Sequence, residues 1–129
     1  MFNWKKFIDL GNNLLAEENE EFVRTAISRF YYGLFGVLRR YLINVRHKYY
    51  LLSGGAWVHG SVFDELENSS DSTERKISQI LNKLRNARNL ADYNGQYDVS
   101  FFIEFLEKNK NDLEIAFDAI DYFKSHPNY

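Results

Sequence analysis

One proline in 129 residues, Pro127 close to the C-terminus, leaves almost the whole chain free to run as helix. Proline removes a backbone donor and clashes with the preceding turn, so its absence lifts the commonest barrier to long helices. The apolar residues use that freedom. They recur at three- and four-residue spacing, and no stretch alternates in a period of two for long enough to read as a strand. Residues 3–16 carry Trp4, Phe7, Ile8, Leu14 and Leu15 at helical spacing, weakened in the middle by Gly11-Asn12-Asn13. The acidic cluster Glu17, Glu18, Glu20 and Glu21 suits the positive end of a second helix that starts near residue 20. That helix runs to about residue 45, roughly 35 Å at 1.5 Å per residue. Arg39, Arg40 and Arg46 sit near its far end, where cations are favoured.

After the loop Ser53-Gly54-Gly55, a short helix is expected over residues 60–67. A polar break at 68–72 follows, and Ser72 or Thr73 is placed to cap a helix over 73–91 that stops before the turn pair Asn94-Gly95. A last helix over 99–124 presents Phe101, Phe102, Phe105, Leu106, Leu113, Ala116, Phe117, Ile120 and Phe123 on one broad face. These patterns predict an all-α protein, an antiparallel four- to five-helix bundle, in one domain over residues 1–129.

Composition excludes several classes. With no cysteine there is no disulfide scaffold, thiolate metal site or cysteine nucleophile. There is no H-x-x-x-H or H-E-x-x-H, and Gly54-Gly55 is not followed by Lys-Ser or Lys-Thr, so neither a metal nor a cofactor is expected. The 16 basic and 18 acidic residues give a net charge of −2, so any nucleic-acid contact must be local rather than a general attraction to polyanions. No apolar run approaches the roughly 18 residues of a membrane span, and MFNWKKFIDL lacks the features of a signal peptide. A cytoplasmic location without membrane contact is expected.

Two helices break their own pattern. In the fourth, Ile77, Leu81, Leu84 and Ala91 form an apolar stripe, yet the slot between Leu84 and Ala91 is Arg88. Arg85, Arg88, Asn89 and Asp92 form a polar ridge there, with Tyr93 beside it. Either Arg88 and Asp92 make an ordinary surface ion pair, or the guanidinium lies inside the protein or between subunits. A charge in either of the latter places is costly, and it is usually compensated or functional. In the second helix Ala26, Arg29, Gly33 and Gly36 run beside the apolar stripe. Two helical glycines on one ridge imply that another backbone comes close. This is tight packing within the bundle, or room for a second subunit or the Arg88 helix to approach Arg29 and Tyr32. His59 lies where it could pack against Trp57, cap the short helix or enter a site; His47 follows Arg40 in a basic, aromatic helix end, and His126 is near the terminus.

The strings RTAISRFYYGLFGVLRRYL (24–42) and LRNARNLADYN (84–94), with His59-Gly60-Ser61-Val62-Phe63 between them and FNWKKFIDL at the start, resemble the small prokaryotic branch of the HEPN domain superfamily. The resemblance covers nearly the whole chain. It implies a helical bundle that forms a homodimer. Relatives of this kind are often metal-independent ribonucleases of toxin–antitoxin and phage-defence systems, and others bind RNA or nucleotides without catalysis. Their catalytic motif is Arg, often followed directly by a polar residue, then His after four to six intervening residues. Arg88-Asn89 matches its start, and Tyr93 stands where the histidine would be.

For RNA cleavage the implied roles are these. Arg88 grips a phosphate with its planar fork. Arg85 or Arg29 adds positive charge beside Tyr32. Asp92 orients Arg88 or moves a proton. Tyr93 is a poor base but a usable acid, and His59 has the right pKa range. The partners implied are a second copy, RNA such as tRNA or mRNA, and a cognate antitoxin or nucleotidyltransferase. The alternatives are a non-catalytic module binding RNA or nucleotide, and a helical protein-interaction subunit.

Overall fold

The computed structural model describes residues 2–17 and 19–124, the last of these without the side chains of Ile120 and 122–124. It is built from α1 (Lys5–Leu15), α2 (Glu20–Asn44), α3 (Trp57–Glu67), α4 (Ser72–Tyr93), α5 (Val99–Lys108) and α6 (Lys110–Lys124), with a single 3-10 turn at Tyr49–Leu52 between α2 and α3. Among the described residues there is no strand. The expected positions of His126 and Pro127, and the expected inward faces of Ile120 and Phe123, lie outside what is described.

The bundle is organised around α2. Of its 25 residues 14 are buried, on every side, which makes it a central helix rather than an amphipathic surface one. Phe30, Leu34, Leu38 and Leu42 meet Ile77, Leu81 and Leu84 of α4 in the main core. Each such side chain contributes about 1.5–3 kcal/mol by leaving water. A second apolar cluster, with Val23, Ile27, Ala87, Ala91 and Phe102, fixes α5 against the same two helices.

The glycine ridge is explained by α1. A Cβ on Gly33 would lie 2.8 Å from Ile8 Cγ1 and 3.2 Å from the Trp4 carbonyl oxygen, and one on Gly36 would lie 2.1 Å from the Trp4 ring. The close approach is therefore the packing of α1 within the bundle, and neither a second subunit nor the Arg88 helix occupies this ridge.

Three expected boundaries differ, each for a local reason. The helix expected over 99–124 is two helices. Asn109 leaves helical backbone geometry at φ −104° and ψ 13°, and its side-chain amide turns back to the Phe105 carbonyl at 2.8 Å, which ends α5 there. Among the described residues there are accordingly six α-helices rather than four or five. The third helix begins at Trp57, three residues early, because Gly55 adopts φ +131° and its carbonyl accepts from Val58 N–H. The cap of α4 is Asp71, not Ser72 or Thr73: its Oδ1 accepts from Thr73 N–H at 2.7 Å and Glu74 N–H at 3.2 Å.

Candidate functional site

Arg88 points inward. Only 8% of it is exposed, and its Nε is buried without a hydrogen-bond partner. The guanidinium carbon lies 5.1 Å from the ring centre of Tyr31 and 5.3 Å from that of Tyr32, both on α2. Such stacking on aromatic faces offsets part of the cost of burying the charge. Asp92, one turn along α4, approaches Nη1 at 3.9 Å, so the i,i+4 pair exists, although its Arg88 partner is not at the surface.

Tyr31 links this guanidinium to α3. Its ring is fully buried, and its hydroxyl is 2.5 Å from His59 Nδ1. Burial pushes the Tyr31 hydroxyl up to about 12, against the opposing pull of Arg85 and Arg88. The imidazole of His59 stacks on Phe35 at 4.2 Å and stands edge-on to Tyr32 at 6.2 Å. Its pKa falls below the usual 6.5, first through burial and then through Arg85, Arg88 and Arg39. At neutral pH it is an uncharged ring facing three cations.

That shift makes stability depend on pH. The folded pKa lies below the unfolded value, so the fold disfavours imidazolium. The contribution is fully present above about pH 6.5 and is lost as pH falls through the lowered folded value, with a slope of at most about 1.4 kcal/mol per pH unit. We expect urea unfolding between about pH 7.5 and 5 to show this slope in the wild type and a smaller one in His59→Gln. Parallel profiles would contradict the assignment of the slope to His59.

The structure thus brings Arg88, Tyr32, His59 and Asp92 together, with Arg85 close enough to act electrostatically on Tyr31 and His59. It keeps others apart. Arg29 stacks on Phe7 of α1 at 5.0 Å. Asn89 is exposed, and Tyr93 is 78% exposed at the end of α4. His47 is also exposed and bonds to the Tyr49 hydroxyl at 2.8 Å.

Two participants were not singled out from the sequence. Tyr31 stands beside Tyr32 in the quoted string, but nothing in the string says which ring faces α3. Arg24 reaches the end of α4, where it donates to the carbonyls of Ala91 at 3.0 Å, Asn94 at 3.1 Å and Leu90 at 3.4 Å, and also to that of Tyr97. Its guanidinium lies over Phe102 at 4.8 Å. A helix leaves its last carbonyls unsatisfied, and this side chain supplies their donors. Among the described residues no cluster of His, Cys, Asp or Glu could hold a metal ion, and no helix is long and apolar enough to cross a membrane. Comparisons with protein-family models, with curated proteins and with solved structures find no match.

Proposed function

We propose that this chain is a metal-independent endoribonuclease of the HEPN kind, acting in a toxin–antitoxin or phage-defence setting in the cytoplasm. The observation that carries the reading is a buried guanidinium with an unused Nε donor beside an uncharged imidazole, joined to it through Tyr31. RNA cleavage by the neighbouring 2′-hydroxyl asks for those two groups: a cation for the phosphate and an acceptor for a proton.

In this reading His59 gives its Nδ1–H to the Tyr31 oxygen and keeps a lone pair on Nε2. That nitrogen takes the 2′-hydroxyl proton as the 2′-oxygen bonds to phosphorus. The 5′-oxygen leaves with its bonding pair and takes a proton from solvent, giving a 2′,3′-cyclic phosphate and a 5′-hydroxyl. Arg88 holds the phosphate oxygens, and Arg85 adds charge. Asp92 positions Arg88. His59 takes the proton-transfer role that Tyr93 has by its place in the motif. Exposed Asn89 and Tyr93, one turn apart on α4, are where a second copy would close over the site. A cognate antitoxin or nucleotidyltransferase would act on the same face.

The test is digestion of single-stranded RNA in the presence of EDTA. Wild type is expected to yield cyclic-phosphate ends, and His59→Gln to cleave about 10²-fold or more slowly, the usual yield of general acid–base catalysis. The low exposure of Arg88 favours a second reading, a module that binds RNA without cutting it. Salt-sensitive binding that leaves RNA intact at high protein concentration would select that reading.

A further inference from the structure

A recess opens along α2, about one helical turn beyond Tyr32. Its volume is about 280 Å³, and its apolar walls include Trp4, Phe35 and Leu52. Arg39 and Arg40 line it as well, and none of its lining residues is acidic. Two features tie the recess to the site above. Phe35 belongs to both, since its ring also stacks on His59 at 4.2 Å. Tyr32, Gly36 and Arg40 follow one another at i, i+4 and i+8, so one row of α2 leads from the Arg88 stack into the recess in steps of about 6 Å.

The walls combine aromatic rings with cations. Gly36 has no Cβ, which allows the Trp4 ring to sit against the helix backbone. Arg39 donates to the carbonyls of Leu51 at 2.8 Å, Leu52 at 3.3 Å and Ser53 at 3.4 Å. Those acceptors are uncharged, so they hold the turn in place without cancelling the cation. A flat apolar body with an anion attached meets both sets of walls, and a nucleotide is such a group.

We infer that this recess receives the base of the RNA nucleotide next to the cleaved linkage, stacked on Trp4, with its phosphate towards Arg39 and Arg40. The inference rests on the RNA-cleavage reading for its choice of ligand. Binding and cleavage are measured separately.

Trp4 and Trp57 are the two tryptophans, so Trp57→Phe leaves Trp4 as the sole indole reporter. This protein is titrated with adenosine 5′-monophosphate, uridine 5′-monophosphate and a short single-stranded 2′-O-methyl oligonucleotide, which cannot be cleaved. Saturable quenching of Trp4 is expected, with the oligonucleotide binding about tenfold or more tighter than either monophosphate because it also reaches Arg88. Leu52 is 65% exposed, so Leu52→Glu should fold normally and weaken all three by about tenfold or more through like-charge repulsion. Arg40→Gln should weaken them as well. Equal affinity for monophosphate and oligonucleotide overturns the assignment to RNA. No quenching by any of the probes, while the wild type still cuts RNA, overturns the recess and leaves the cleavage reading standing. Quenching without cleavage by the wild type supports the recess and removes the cleavage reading.

Discussion

Arg88→Met should abolish RNA cleavage, by about 10²- to 10³-fold or more, while the bundle stays folded. The loss follows from the role proposed for the guanidinium, the cation that meets the developing charge on phosphate. Folding should survive because methionine fills much of the same space between α2 and α4 and removes a charge whose Nε has no partner. Replacing an imperfectly paired buried ion by an apolar side chain of similar volume is often neutral or stabilising. Arg88→Ala should lose the same activity but also leave a hole, costing about 2–4 kcal/mol by analogy with other large-to-small changes in a core. Arg88→Lys keeps the charge and gives up both the planar fork and the stack on Tyr31 and Tyr32, so it should recover little. RNA digestion read beside thermal unfolding separates these effects. Cleavage by a folded Arg88→Met protein would refute the role of the guanidinium.

Arg24→Ala should be the most damaging change at a partly exposed position, lowering stability by about 2–4 kcal/mol and the melting temperature by on the order of 10 °C. One side chain carries the C-terminal carbonyls of α4, the backbone of Asn94 and Tyr97, and a face of Phe102. Its loss leaves part-buried acceptors without donors and unties the start of α5 from α2. Hydrogen exchange should rise first over residues 90–97. Asp92 lies within that stretch, so the Arg88 pair should loosen with it. Arg24→Lys, with a point charge instead of a fork, should restore only a part. An unchanged melting temperature in Arg24→Ala would show that these bonds are replaced by water at little cost.

Much of this arrangement was legible in residues alone, and the limits have physical causes. Arg88 stood out because a stripe of Ile77, Leu81, Leu84 and Ala91 defines which way α4 must face, but the stripe alone did not choose between an inward guanidinium and a surface pair with Asp92. Gly33 and Gly36 signalled a close backbone, but small residues do not name their neighbour, and α1 proved to be it. His59 could not be placed because the orientation of α3 against α2 is a tertiary matter. Val58, Val62 and Leu66 set its buried face without saying which helix lies opposite. The interruption at Asn109 left no proline or glycine as a marker, only an amide able to compete for a carbonyl. At the start of α4, Asp71, Ser72 and Thr73 are all good caps, and only backbone geometry chooses among them.

The Tyr31 side chain is a junction at which three helices converge. Arg88 comes from α4, Tyr31 from α2 and His59 from α3. Of the three, α3 is the smallest, 11 residues held by a few buried side chains. No fragment of the polypeptide can carry the triad, and a slight rotation of the shortest member would part the imidazole from the phenol before the large core gave way. Any chemistry at this junction is thereby conditional on complete assembly, and a partly unravelled chain would lack it.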